Sequence, residues 1–168
     1  VKVSGEIMEI ARKYAGKFEQ WGIDEAFLDV SSKVGNWDEA KALALQIKQE
    51  IKEKEGITAS IGVGSSKLVA KVASDYQKPD GLTIVKEEEV EKFLDTLPVR
   101  KLLWVGRKTE AKLKELGVDT IGDLARYDPS ALTSLFGAMG LQMHLMAKGI
   151  DRSAVVAVSM NGPSSRNR

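Results

Sequence analysis

The sequence predicts an α+β protein. A mixed sheet with helices packed on it is expected over residues 1–98, then a small all-α segment over 99–152 and a linker-like tail over 153–168. Three observations carry this expectation. Up to Leu97, helical and strand periodicities alternate in the order α-ββ-α-β-α-β-α, the pattern of helices laid on a mixed sheet. After Pro98 no strand pattern recurs before the tail, and short helical stretches are punctuated by Gly106, Gly117, Gly122, Gly137, Gly140 and Gly149. The charge balance turns at the same place. Residues 1–98 carry 14 Lys and Arg against 18 Asp and Glu, a net of −4, whereas 99–152 carry 9 against 6, a net of +3. With Arg166 and Arg168 in the tail, the 168-residue chain returns to +1. An acidic part followed by a basic one hints that the second part meets a polyanion.

The elements follow in order. Ile7, Ile10, Ala11, Tyr14 and Phe18 fall three or four apart, so residues 4–18 read as a helix with Ser4 as its N-cap. Residues 18–31 read as two short strands. "NWDEAKALALQIKQEIKEKE" (36–55) is the clearest helix. Asn36 and Glu39 make a capping-box-like start, Leu43, Ile47 and Ile51 hold one stripe, and Gly56 ends it. "ITASIGVG" (57–64) is rich in β-formers, and "SSKLVAKVASDY" (65–76) is a helix capped by Ser65 or Ser66. "GLTIV" (81–85) is a further strand. "EEEVEKFLDTL" (87–97) is a helix with acid in its first turn. A domain boundary is expected near Leu97–Arg100. The tail "VVAVSMNGPSSRNR" is polar and Gly/Pro-punctuated, as linkers are.

Composition narrows the function classes. A chain 43% hydrophobic and 29% charged is globular, not disordered. Cysteine is absent, which excludes disulfides and thiolate metal sites and matches a reducing, cytoplasmic setting. A single histidine, His144, argues against a histidine-built zinc site, and it reads as an ordinary helix residue. No run approaches the ~20 apolar residues of a membrane helix, so no membrane partner is expected. The chain begins with Val1, so it is expected to be a fragment or a processed product.

The chemistry concentrates in "WGIDEAFLDVS" (21–31). Asp24 and Glu25 stand side by side in a strongly apolar run, and uncompensated carboxylates are costly to bury. A metal ion, a Lys or Arg partner, or exposure at a turn would each relieve them. Neighbours on a regular strand point to opposite faces, so both acids serve one site only at a hairpin tip. A tight turn at 24–25 is therefore expected, with Gly22 loosening the approach. Hard cations such as Mg²⁺ select carboxylate oxygens and keep waters for substrate phosphates. Lys78, in "SDYQKPDG" (74–81), lies where a helix turns into a strand. It reads either as a point charge for phosphate or as a lysine satisfying the helix dipole. "GVGSSK" (62–67) lacks the spacing of a phosphate loop and reads as a strand-to-helix turn.

These stretches together resemble the Y-family (DinB-like, translesion) DNA polymerases. "GIDEAFLD" resembles that family's Ser-x-Asp-Glu-Ala-Tyr/Phe-Leu-Asp signature. "SIGVGSSKLVAKVASDYQKPDG" resembles the segment after it, ending in the same Lys-Pro-Asn/Asp-Gly. "LPVRKLLWVGRKTEAKLKELGVDTIGDLA" (97–125) resembles the family's thumb with its helix-hairpin-helix element. The resemblance covers about residues 18–152. It implies an incomplete palm at 1–98, a thumb at 99–152, and a linker at 153–168 towards a missing little-finger domain.

The implied activity is template-directed DNA synthesis, nucleotidyl transfer from a dNTP to a primer 3′-hydroxyl on a primer–template DNA. Two Mg²⁺ ions would serve the complete enzyme. Asp24 would bridge both, and Glu25 would hold the one that activates the 3′-hydroxyl. Lys78 would contact the triphosphate, Phe27 would pack beneath the hairpin, and Asp29 would close the motif. Lys101, Gly106, Arg107, Lys108 and Lys112 would meet DNA, and a sliding clamp is left open as a further partner.

Three features depart from the family pattern. Gly22 replaces the leading serine. Trp104 replaces the first glycine of the thumb hairpin, whose second is Gly106, and an indole there obstructs close approach of the backbone to a phosphate. The family's third carboxylate and its steric-gate aromatic would precede Val1, so the chain as given is expected to be incomplete and inactive alone. Two other readings stand beside this one: a non-catalytic DNA-binding fragment, and a palm-like nucleotide cyclase, which has no use for a thumb-like segment.

Overall fold

The computed structural model of the chain describes residues 2–156. The tail from residue 157 onward, with Arg166 and Arg168, lies outside the described residues. Residues up to Ile57, together with the segment from Ala154, form one compact unit, and Thr58–Ser153 form a second.

In the first unit, helix α1 (Lys2–Tyr14) packs on helix α2 (Trp37–Glu55). Met8, Ile10 and Ala11 are buried on α1, and Ala40, Ala44, Ile47 and Ile51 on α2. The stripe expected on Leu43 is thus shared by two alanines, and Leu43 itself is half-buried. Asn36 caps α2, its side chain accepting from the Glu39 N–H at 2.8 Å. Gly56 closes the helix at φ 68°, a left-handed conformation that glycine adopts without a steric penalty. Lys13 of α1 pairs with Glu50 of α2 at 2.8 Å.

The first helix differs from its expectation at both ends. It runs through Ser4, which is therefore no cap, and it stops at Tyr14. Phe18 sits in strand β1 (Lys17–Trp21) and not on the helix. Gly16 explains the stop. Its N–H donates to the Asp29 carbonyl at 2.9 Å, and a Cβ there would collide with the Ser32 side chain. Strand β2 (Glu25–Asp29) pairs antiparallel with β1.

In the second unit, strands β3 (Ile61–Val63) and β4 (Leu82–Ile84) pair in parallel, joined through helix α3 (Lys67–Tyr76). Parallel neighbours require such a crossover. Gly62 lets β3 lie against α3, since a Cβ there would stand 2.8 Å from the Ala73 carbonyl carbon. Ser66 caps α3, accepting from the Val69 N–H at 3.2 Å. The helix expected at 87–97 is a 3₁₀ turn (Glu87–Glu89) followed by α4 (Val90–Asp95). Among the described residues the strands thus form two two-stranded sheets, one antiparallel and one parallel, with both pairing senses of a mixed sheet.

Beyond Pro98 the chain is helical, as expected. A 3₁₀ turn (Val99–Lys101) precedes α5 (Arg107–Glu115), α6 (Ile121–Arg126), α7 (Pro129–Phe136) and α8 (Ala138–Ala147). Thr120 and Asp123 form a reciprocal capping box at the start of α6. One core runs from Leu68, Val69 and Val72 on α3 through Leu94 and Leu113 to Ile121, Leu124, Leu132 and Met143. The position 97–100 therefore falls inside this unit. The Ile121 N–H donates to the Leu97 carbonyl at 2.8 Å, and the Val99 N–H to the Asp119 carbonyl at 3.0 Å. Among the described residues no helix is long and apolar enough to cross a membrane.

Candidate functional site

Five cross-strand pairs fix the β1–β2 hairpin, ending at Trp21 opposite Glu25. This register corrects the expected turn at 24–25. Gly22, Ile23 and Asp24 make the connection, and Glu25 is the first residue of β2. Gly22 takes φ +76°, which a side chain disfavours, so the turn runs over 22–24 and takes in Asp24 but not Glu25. Asp24 is exposed in the turn and Glu25 is half-buried at the strand start. Both carboxylates thus belong to the same end of the hairpin.

The register also decides which face each side chain occupies, because directly paired residues lie on one face. Glu25, Phe27 and Asp29 share a face with Trp21 and Glu19. Phe27 meets Trp21 edge-on, the ring centroids 5.9 Å apart. Phe18 is on the other face, under the Arg12 guanidinium of α1 at 4.9 Å from its ring centre. Glu19 is buried, and its carboxylate accepts the Val156 N–H at 2.7 Å. Asp29 accepts from the hydroxyl and, at 3.0 Å, the N–H of Ser31. These two bonds hold its carboxyl below the usual range and tie it to the end of the strand.

Among the described residues no group of three or more His, Cys, Asp or Glu is gathered as a metal would need. Asp24 and Glu25 are two hard oxygen donors. That set suits a divalent ion that keeps most of its shell for water and substrate oxygens, as Mg²⁺ does.

In the second unit, Lys78 follows the end of α3 and pairs with Asp75 at 2.8 Å. Asp75 also takes Lys71 at 3.2 Å. Partial burial pushes the Asp75 carboxyl up, but the two ammonium groups outweigh it and leave it below the usual range. Sequence reading passed over Asp75. Its signal was the spacing of Lys71, Asp75 and Lys78, four and three apart across a helix end.

The turn at "GVGSSK" is a strand-to-helix turn, as expected. Its helix N-terminus is already occupied, because Asp151 accepts the Leu68 N–H at 3.0 Å beside the Ser66 cap.

Gly106 opens α5, and nothing lies within 4 Å of where its Cβ would be. Val105 beside it is buried, whereas Trp104 is 54% exposed. Lys101, Arg107, Lys108 and Lys112 are all exposed, and Leu113 turns α5 into the core. His144 is buried on α8, its Nδ1 donating to the Leu124 carbonyl at 3.2 Å. That bond ties α8 to α6 and gives the histidine a place in the fold.

Comparison with known proteins gives the same picture along the chain. Residues 1–75 match the model of the impB/mucB/samB family, and 101–151 match that of the DNA polymerase-iota thumb domain. "DNA polymerase IV" of Methanoculleus marisnigri is 48% identical over 153 residues, covering 91% of this chain and 42% of that one. "DNA polymerase IV 2" of Methanosarcina mazei is 43% identical over 166 residues, covering 95% and 45%. The crystal structure of DinB from Sulfolobus solfataricus superposes with a TM-score of 0.84 at 36% identity, over 92% of this chain and 46% of that one. The insertion ternary complex of Dbh DNA polymerase superposes at 0.85, also at 36% identity, over 92% and 45%. The chain thus spans less than half the length of these relatives. With two matched models in order, relatives similar over nine-tenths of its length and one fold with the Dbh structures, the chain belongs to the Y-family, DinB-like DNA polymerases.

Proposed function

We propose that this chain forms part of an enzyme of template-directed DNA synthesis, translesion in type, that joins a nucleotide from a dNTP to a primer 3′-hydroxyl. The observation that carries the reading is the pair Asp24 and Glu25 at one end of the β1–β2 hairpin, within the run "DEAFLD". Relatives named DNA polymerase IV support DNA and dNTP as partners.

Asp24 and Glu25 would hold divalent cations, Mg²⁺ by the match of donor chemistry. When bound, such an ion lowers the pKa of the primer hydroxyl and offsets charge on the triphosphate. Glu25 starts a strand whose register is locked, so its carboxylate is presented with little freedom. Asp24, from the turn, reaches the same site from the adjacent position. Lys78 would place a point charge on the triphosphate, and Asp75 would keep its ammonium oriented. Lys101, Arg107, Lys108 and Lys112, with the open space beside Gly106, would hold backbone phosphates without reading bases.

Primer extension by a longer protein that contains this chain tests the reading. Asp24→Ala or Glu25→Ala is expected to abolish synthesis while circular dichroism and thermal unfolding stay those of the parent. Each change removes a ligand from a hairpin end and no core volume. Activity within a few fold of the parent in either variant would overturn the metal-site assignment. Cyclic product from a nucleoside triphosphate would point to the cyclase reading instead.

A further inference from the structure

Glu19 occupies the middle of the five β1–β2 pairs, opposite Phe27, and takes no part in the metal site proposed above. Among the described residues it is the one carboxylic acid that is buried, at 7% exposed. A buried carboxylate is costly unless it is hydrogen-bonded. Its Oε1 accepts the Val156 N–H at 2.7 Å, from a residue 137 positions further along the chain. The segment from Ala154 belongs to the same compact unit as the hairpin. Val156 itself is 60% exposed, so its backbone and not its side chain makes the attachment. Two positions along from Glu19, Trp21 lies opposite Glu25. All four side chains share a face, and the Trp21 and Phe27 rings meet edge-on across it. The other face carries Phe18 and lies against α1. A two-stranded hairpin is marginally stable alone, so each face needs support. Helix α1 gives it on the Phe18 face, and Glu19 draws the Ala154–Val156 segment to the other.

We propose that Glu19 is a positioning residue for the acidic end of the hairpin. Its carboxylate clasps the Ala154–Val156 segment to the face that carries Trp21, Phe27 and Glu25, and the clasped segment holds Glu25 in one arrangement. The inference rests on the polymerase reading and adds to it a residue that touches neither metal nor substrate. Glu19 is no third ligand, because among the described residues no three such groups are gathered for a metal. It acts through its neighbours. Phe27 is set between its cross-strand partner Glu19 and the Trp21 ring, and Trp21 is in turn the cross-strand partner of Glu25. A carboxylate suits the clasp, since a charged acceptor makes a shorter and stronger hydrogen bond than a neutral one. Misplacing a reacting group by about 1 Å can cost on the order of a hundredfold in rate, so a loose support two residues away is felt at the site.

Amide exchange followed by NMR on this chain reads the clasp directly. The Val156 amide is expected to exchange slowly in the parent and about ten- to a hundredfold faster in Glu19→Ala, the scale of a hydrogen bond to a charged group, while the amides of α2 keep their rates. Rapid exchange at Val156 in the parent overturns the clasp. Val156→Pro removes the donor and leaves Glu19 in place, and Val156→Ala, which keeps the N–H, is its control. The Trp21 and Phe27 signals are expected to shift in Glu19→Ala and Val156→Pro and to stay in place in Val156→Ala. Primer extension by a longer protein that contains this chain reads the consequence. Glu19→Ala and Val156→Pro are each expected to lower kcat about tenfold with KM for dNTP near the parent's, as when an arrangement and not binding is lost. Glu19→Gln, which keeps an acceptor oxygen, is expected to recover most of that loss. The double variant should fall no further than Glu19→Ala alone. If the parent is active and Asp24→Ala abolishes synthesis, yet both clasp variants keep kcat within about twofold, the positioning role is overturned and the polymerase reading stands. An inactive parent, or one indifferent to Asp24→Ala, overturns that reading and the positioning role with it. Loss in Glu19→Ala with Val156→Pro at the parent's rate overturns the clasp as the route. Should Glu19→Ala fail to fold, Val156→Pro and Glu19→Gln carry the same tests.

Discussion

Asp151 shows how one carboxylate can decide the state of a helix end. It accepts the Leu68 N–H at 3.0 Å in the first turn of α3 and the Ser153 N–H at 3.0 Å and hydroxyl at 2.7 Å. Partial burial pushes its carboxyl up, but these hydrogen bonds and nearby Lys67 outweigh that and hold it below its ordinary value of 3.8. A group whose pKa is lower in the folded state stabilises the fold above its unfolded-state value. That contribution is lost as pH falls through the folded value. Asp151→Asn, which keeps an acceptor oxygen and removes the charge, should therefore destabilise the fold at pH 7, and by less than Asp151→Ala, for which the usual scale of a lost cap is about 1 kcal/mol. The gap between variant and parent should begin to narrow as the pH falls below 3.8, the ordinary value that holds in the unfolded chain, and go on closing through the lower folded value. Urea unfolding of both proteins at neutral pH and near pH 3 checks this, and an equal gap at both would exclude the ionised carboxylate as the cause. Leu68 and Asp151 are 83 residues apart, so no local pattern could have announced the bond.

At the scale of elements, what was legible in the sequence is what is local. Helix α2 could be read from end to end because its cap, Asn36, and its stop, Gly56, sit in the pattern itself. The end of α1 could not, because Gly16 turns the chain through a bond to Asp29 and in a space that Ser32 closes to any side chain, both partners lying beyond the hairpin. The acidic pair is recognisable from residue types, yet its turn runs over 22–24 and not over 24–25. Register is set by the pairing of Trp21 with Glu25, which neither residue reveals alone.

Packing of α4 against α6 gives a prediction at this scale. Gly122 lets α6 lie on the end of α4, where a Cβ would stand 2.6 Å from the Asp95 carbonyl oxygen. Arg126 secures the same contact through Asp95 at 2.7 Å. Although alanine favours helices, Gly122→Ala should destabilise by about 1–3 kcal/mol, the cost of forcing packed backbone apart. Arg126→Ala should cost less than Gly122→Ala, since the pair is exposed and screened by water. Thermal unfolding of the two variants checks the order. A neutral Gly122→Ala would mean that the helices separate at no cost.

For the whole chain, the family was legible because its signature stretches are contiguous and fall in order, with the charge turning basic where the last one begins. The site assignments depend on how a polyanion meets that basic stretch, and this leads to the last prediction. Lys101, Arg107, Lys108, Lys112 and Lys114 cluster around the turn before α5 and α5 itself. Lys108 and Lys112 are one turn apart on its exposed side. The core is continuous from Leu68 to Ala147, so an excised 99–152 piece would lose α3 from its core, and the measurement belongs on the chain itself. Contacts of this kind position a duplex through phosphates and carry no sequence information. Binding should therefore be weak, indifferent to sequence and strongly salt-dependent. Neutralising Z phosphates gives a log–log slope of about −0.9Z, so two or three contacts imply roughly −2 to −3. Lys108→Ala with Lys112→Ala should make it shallower by about one to two. Duplexes of unrelated sequence titrated across a salt series read out both the slope and the lack of preference. A slope that stays the same in the double variant would leave α5 as a solvated helix face with no part in gripping DNA.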